Sequence, residues 1–325
     1  MDAANRKQMA IDVAKMYYIS RKSQEQIAAE TGMSRSNISR ILKKAVDEGL
    51  VEIIVHDNIS EKPELGKRLA DAFGLSEVII FPSDASESRM ARNVGERLAL
   101  YLEKIMADHT LLGVGNGKAC YYTGRSLQNS RNCHIDVVQL HGNTSTVATM
   151  EEGSVLVSLF ASKLNGIGYI LPAPLMVRSR QTKQELMESG MLHNTIRFYK
   201  DVDVAIFEIT RPNLYGRNLP AREYLTRADL HQLQEVQVVS CICGYYFDKN
   251  GRSCNVGIND RILAISQEQL RKIPTSIGIV IGKNALPSAL SAIYSGLINV
   301  LAVDEALASS LDIYLAENTQ NTLKL

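Results

Sequence analysis

At 325 residues, 45% of them hydrophobic and 22% charged, the chain has the balance of a soluble globular protein with ample material for a core. Its formal net charge of +1 excludes a polycation, so any nucleic-acid footprint is confined to part of the surface. No apolar run approaches the roughly eighteen residues of a membrane span, and Met1 to Ser20 carries acids, bases and amides in place of a signal-peptide core.

The length suggests two domains, one of them small. The five cysteines, Cys120, Cys133, Cys241, Cys243 and Cys254, form no CxxC pair and have no zinc-like histidine spacing. They read as buried thiols in a reducing compartment, so a cytoplasmic protein without metal or cofactor is expected. Cys241 and Cys243 fall two apart in an apolar run, and on a strand they would share one face.

Residues 1–56 read as three helices and a wing. Met9, Val13, Met16 and Tyr17 recur at helical spacing and make one apolar stripe. A second helix starts after Ser23, an N-cap with Gln26 at the capping-box position, and ends near Thr31-Gly32, where glycine suits a left-handed turn. A third starts at Ser34, places Ile38, Ile41 and Leu42 on one face, and ends at Gly49. Val51 to His56, rich in β-branched residues, is strand-like and would form the wing. Residues 57–63 are polar, contain Pro63 and read as a linker.

Residues 64–325 form the second domain. After an amphipathic helix from Glu64 to Phe73, short apolar runs alternate with helix-length segments. The runs are Val78 to Phe81, Leu111 to Val114, Val137 to Leu140, Ile167 to Leu171, Val202 to Ile209, Val236 to Cys243, Ser276 to Ile281 and Ile298 to Val303. Val94, Leu98, Tyr101, Leu102 and Ile105 mark one of the helices between them. This alternation predicts an α/β sheet covered on both faces.

Two helices joined by a short glycine-containing turn form the helix-turn-helix layout, with the later helix presented to the major groove of duplex DNA. From Ser34 to Lys44 that helix carries Arg35, Arg40, Lys43 and Lys44 and no acid. Arginine can be bidentate to guanine and asparagine to adenine, while serine, lysine and the helix N-terminus hold phosphates. Ser34, Arg35, Ser36, Asn37, Ser39, Arg40, Lys43 and Lys44 are therefore the candidate DNA contacts. One such module makes few phosphate contacts, which favours an oligomer on repeated half-sites.

Six short motifs follow in order. They are Gly113-Val114-Gly115-Asn116-Gly117-Lys118, Gln139-Leu140-His141-Gly142-Asn143, Pro172-Ala173-Pro174-Leu175 and Asp203-Val204-Ala205, then Gly244-Tyr245-Tyr246-Phe247-Asp248 and Gly296-Leu297-Ile298-Asn299 with Asp304 after it. Behind this helix-turn-helix, they make the whole chain resemble the SorC/DeoR family of sugar-responsive regulators. The resemblance implies an effector domain with the sugar-phosphate-isomerase-like α/β fold, a tetramer, and control by a phosphorylated sugar or related metabolite. It also implies that Asp248 accepts bonds from sugar hydroxyls.

The residues fit that reading in part. Gly113, Gly115, Asn116 and Gly117 follow a strand and precede a helix, where backbone N–H groups and the helix dipole favour an anion, and Lys118 adds charge. His141, Gly142 and Asn143 follow another strand and open a second donor-rich loop. A glycine loop alone is equally a tight turn; two in the family's order weigh toward a ligand. The chain also departs from the family. Asn116 and Ala119 stand where tryptophan and threonine are usual, and Gly142-Asn143 where paired glycines are common. Phe207-Glu208-Ile209-Thr210 replaces a glycine-rich stretch. Ala285 occupies the place of a phosphate-contacting lysine, with Lys283 as a possible substitute nearby. The pocket is thus either re-tuned to another ligand or without its phosphate.

Three functions remain open on the sequence. The leading one is a ligand-responsive regulator, by default a repressor. An enzyme acting on a sugar phosphate is the second, against which no GxSxG, HExxH or Walker loop occurs. Its candidate acids, Asp203, Glu208, Asp248 and Asp304, are equally explained as ligand contacts, caps or loop residues. The third is a regulator whose second domain serves assembly only.

Overall fold

The computed structural model describes residues 3–20, 22–47, 50–51, 62–128, 133–144, 149–212, 214, 225–254, 257–282 and 284–322. The chain divides into two compact units, Met1–Ile59 and Ser60–Leu325. The expected wing strand beyond Val51, the helix end at Gly49, most of the linker, and Lys283 lie outside the described residues.

The first unit holds α1 (Ala3–Ala14), which runs into a π-helical turn over Lys15–Ile19, then α2 (Gln24–Thr31) and α3 (Arg35–Asp47). Their facing stripes meet in a small core of Val13, Ala14, Ile27, Ile38, Leu42 and Ala45. The expected capping box is present at α2. Gln26 N–H donates to Ser23 Oγ at 3.2 Å, and Ser23 N–H donates to Gln26 Oε1 at 2.8 Å. Gly32, at φ 69°, closes α2 in the left-handed region and reverses the chain into α3.

The second unit opens with α4 (Pro63–Phe73), whose proline pre-sets the first helical φ, so the helix begins within the stretch expected as linker. In chain order there follow β1 (Glu77–Phe81), α5 (Glu87–Ile105), β2 (Leu111–Val114), α6 (Lys118–Ser126), β3 (Asp136–Gln139), α7 (Gly153–Leu164) and β4 (Gly168–Tyr169). Then come α8 (Arg180–Met187), α9 (Gly190–Ile196), β5 (Val204–Thr210), α10 (Arg227–Glu235), β6 (Ser240–Ile242) and β7 (Tyr245–Phe247). The chain continues through α11 (Gln267–Arg271), β8 (Thr275–Val280), α12 (Leu286–Ser295), β9 (Val300–Asp304) and α13 (Glu305–Thr322).

Seven strands pair parallel in the order β1-β9-β8-β5-β2-β3-β4. Side chains alternate between its faces. Leu112, Val114, Val204, Ile206, Ile277 and Ile279 join a core under α5, α6 and α7, whereas Ala205, Phe207, Ile209, Leu301 and Val303 join the opposite core. Burying each large apolar side chain contributes about 1.5–3 kcal/mol. A one-residue slip would send both sets to the wrong face, so the pattern fixes register.

The run from Val236 to Cys243 is not one strand. Only Ser240–Ile242 is extended, and it pairs antiparallel with β7 and with the end of β5. Cys243 at φ 47° and Gly244 at φ 88° form the two-residue turn of that hairpin. Cys241 and Cys243 therefore do not share a strand face, although both are buried. All five cysteines are free thiols, with Cys133 alone only half-buried.

Candidate functional site

On α3 the apolar stripe Ile38, Leu42 and Ala45 turns inward, which leaves Ser34, Arg35, Ser36, Ser39, Arg40, Lys43 and Lys44 exposed and Asn37 half-buried. Arg40 donates to Asn37 Oδ1 at 2.9 Å, while the Asn37 amide also reaches Met33 Sδ at 3.5 Å. These bonds pre-orient the two side chains best suited to reading base edges. Arg35 pairs with Glu25 at 3.1 Å, and exposed pairs of this kind are worth at most about 1 kcal/mol, so a phosphate can displace the acid. Seven of the eight predicted residues thus lie on one short helix, and Ser34 immediately precedes it, its hydroxyl accepting from Asn37 N–H at 3.3 Å.

The second candidate site lies beyond the carboxyl ends of β2, β3, β5 and β8. There β3 and β4 add on one side of β2 and β5, β8 and β9 on the other, and such a reversal of strand order is where open parallel sheets hold ligands. Two adjoining cavities open at this edge and share Glu208 and Thr210. One, of about 230 Å³, is lined by Asn116, Gly117, His141, Thr144, Glu151 and Glu152 among others. The other, of about 290 Å³, is lined by Glu87, Lys118, Arg211, Gly282, Asn284 and Ser288 among others.

The loop after β2 is tightly held. Asn116 N–H donates to His141 Nε2 at 3.2 Å and Gly117 N–H to the Glu151 carbonyl at 3.1 Å. Ala119 N–H donates to a carboxylate oxygen of Glu208. Gly117 sits at φ 140°, and any side chain there would collide with the Glu208 carboxyl. His141 is buried, and its Nδ1 donates to the Gly142 carbonyl at 2.9 Å while Nε2 accepts. That bonding requires the neutral ring, and burial holds its pKa below the ordinary histidine value.

Glu152 stands at the start of α7, but its carboxylate turns away from that helix. It accepts from the Asn116 amide at 3.2 Å, from Thr144 N–H at 3.1 Å and from the Thr144 hydroxyl. Gln139 bonds the His141 carbonyl at 2.8 Å and Asn143 Oδ1 at 2.9 Å, which ties the second loop to β3. Among the described residues, Asn116 Oδ1 is buried without a hydrogen-bond partner.

Of the ten residues expected at the effector site, Asn116, Gly117 and His141 line the first cavity and Lys118 the second, where its ammonium donates to Ser88 Oγ at 3.3 Å. Gly113, Gly115, Gly142 and Asn143 pack behind the walls. Gly115 lies against Phe207, and Gly142 against the Pro174 carbonyl. Asp248 is apart from both groups, with Oδ1 closing a turn by accepting from Asn250 N–H at 2.8 Å and Arg252 N–H at 2.9 Å. Lys283 lies outside the described residues.

The remaining candidate acids divide similarly. Asp203 accepts from Leu111 N–H at 2.9 Å, at the far end of β2. Asp304 accepts from Leu307 N–H and the Ser83 hydroxyl, each at 3.0 Å, and from Gly282 N–H at 3.2 Å, which positions the loop after β8. Glu208 alone of the four faces the cavities. Sequence reasoning missed Glu151 and Glu152; the acid pair just before the apolar helix Gly153–Leu164 was the available signal. Among the described residues, no group of three or more His, Cys, Asp or Glu could hold a metal ion.

A helix-turn-helix with an exposed basic helix, carried on a chain whose larger unit is a parallel α/β domain, defines a DNA-binding transcription regulator. The comparisons with known proteins specify which kind. Residues 57–311 match the family described as "Putative sugar-binding domain", and residues 18–58 match the MarR family. The chain is 27% identical over 307 residues to the deoxyribonucleoside regulator of Bacillus subtilis, covering 94% of this chain and 97% of that protein. It is 25% identical over 307 residues to the sorbitol operon regulator of Klebsiella pneumoniae, covering 93% and 97%. The crystal structure of the full-length sorbitol operon regulator SorC from Klebsiella pneumoniae superposes with a TM-score of 0.74 at 23% identity, across 96% of this chain and 99% of that one. The chain belongs to the SorC/DeoR-type sugar-binding transcriptional regulators. Among the described residues, no helix is long and apolar enough to cross a membrane.

Proposed function

We propose that the chain is a cytoplasmic, non-enzymatic repressor that binds operator DNA through α3 as a homo-oligomer, by family resemblance a tetramer. A small effector of the sugar or sugar-phosphate class, seated in the two adjoining cavities, changes its operator affinity. The observation that carries this reading is the pair of polar cavities at the carboxyl ends of the strands, walled by His141, Asn116, Glu151, Glu152, Glu208 and Lys118. Carboxylates and threonine hydroxyls in such a wall accept and donate bonds to sugar hydroxyls, and the buried neutral His141 keeps the wall rigid.

The test is a thermal-shift screen of the purified protein against sugars, polyols and their phosphates, followed by operator binding with each hit. A ligand at a hundred times its Kd adds about 2.7 kcal/mol to stability. The expected result is a stabilising compound that also shifts operator affinity. Stabilisation by no compound in the panel, with operator binding intact, would leave the larger domain an assembly module and sink the effector reading.

A further inference from the structure

The loop between β2 and α6 has the form of an anion cradle, but three of its donors are already engaged. Asn116 N–H is taken by His141, Gly117 N–H by the Glu151 carbonyl and Ala119 N–H by the Glu208 carboxylate. Glu208 therefore occupies the place at the start of α6 where the exposed N–H groups and helix dipole would attract an anion. Its carboxyl also fills the space beside Gly117.

The surroundings reinforce this. The first cavity is lined by Glu151, Glu152 and Glu208, with no lysine or arginine among its described lining residues. Among the described residues, the charged groups that line these cavities with Glu208 are Glu87 on α5, Glu151 and Glu152 before α7, Lys118 on α6 and Arg211 after β5, and both of those cations line the second cavity only.

We infer that Glu208 is a specificity residue: it stands in for an anion at the start of α6, so the effector presents a neutral, hydroxyl-bearing end to this loop and not a phosphoryl group. The inference rests on the effector reading above and narrows its ligand class. A phosphoryl group brought to this loop would meet Glu208 and Glu151 at short range in a partly desolvated site, where like charges repel far more strongly than in water. A hydroxyl has the opposite fate, since it can donate to either carboxylate.

The experiment uses the full chain and three proteins: wild type, Glu208→Gln and Glu208→Ala. Inorganic phosphate is titrated against each at pH 8, where the Glu208 carboxyl is ionised, by calorimetry and thermal shift, with circular dichroism and a cooperative melt as folding controls. Phosphate bound elsewhere, for instance on α3, is common to all three and cancels. Glu208→Ala frees the Ala119 N–H and removes the charge, so it is expected to bind phosphate at least about tenfold more tightly than wild type, with Glu208→Gln between them. In parallel, neutral sugars and polyols are compared with their phosphates. Wild type is expected to prefer the neutral member of each pair, and Glu208→Ala to lose that preference.

Equal phosphate affinity in all three proteins would overturn the inference, as would a wild-type preference for the phosphorylated member that Glu208→Ala leaves unchanged. If Glu208→Ala does not fold, Glu208→Gln decides, and no gain in phosphate affinity overturns the inference. A panel in which no sugar binds would refute the effector reading separately, because the phosphate comparison still reads the role of Glu208.

Discussion

At the scale of single residues, Glu208 has a consequence for stability as well as for binding. Burial pushes its carboxyl up to about 7; the Ala119 N–H and Lys118 pull it down, while Glu151 and Glu87 raise it further. In the unfolded chain the same group titrates as an ordinary glutamate, near about 4.3. Between those two values the folded protein holds a proton that the unfolded chain has released, so rising pH favours unfolding across that window. The loss is complete above the folded value and amounts to as much as about 4 kcal/mol. Glu208→Gln does not titrate. It is therefore expected to be more stable than wild type at pH 8, with the gap closing at pH 5, as read from urea midpoints. A gap that stays constant with pH would show that Glu208 is ionised throughout. The sequence singled out Glu208 only as one acid among four, because its neighbours come from α6 and from the loop before α7. Asp248 shows the converse, a plausible ligand contact whose carboxylate closes a local turn.

At the scale of elements, the helix-turn-helix was legible almost residue by residue. A capping box, a glycine C-cap and helical spacing are local signals, each readable within a few residues of the chain, and the stripes they define meet in one small core. Arg40 is exposed, and the bond described for it is to Asn37 on the same helix. Arg40→Ala is thus expected to abolish specific operator binding while leaving the melting temperature almost unchanged. Lys43→Ala is expected to weaken specific and random duplexes alike and to lower the salt slope of binding by about one. Fluorescence anisotropy over a salt series separates the two, and an equal loss on both duplexes for Arg40→Ala would reduce it to a phosphate contact. The strands were legible for a similar reason, since buried parallel strands are short apolar runs. The hairpin of β6 and β7 was not, because an apolar run does not reveal where Cys243 turns back at positive φ.

At the scale of the whole molecule, the proposal has DNA and effector bound by different units of one chain, with their affinities linked. An effector that weakens operator binding tenfold must itself bind about tenfold more weakly to the operator-bound protein. Calorimetric titration of the effector with and without a saturating operator duplex measures this directly. Identical effector affinities in the two states would show that the cavity is not coupled to the DNA-binding unit.

By itself, the sequence determined what depends on neighbours along the chain: the caps and stripe of the DNA-binding helices, the alternation of buried strands and helices, and the family motifs in their order. The tertiary structure alone decided whether the glycine loop was free to take an anion. Its Ala119 donor is met by a carboxylate 89 residues further along the chain, which parallel pairing of β2 with β5 brings alongside. A loop's backbone conformation follows from its own residues, but the fate of its hydrogen bonds is set by whatever the fold packs against it.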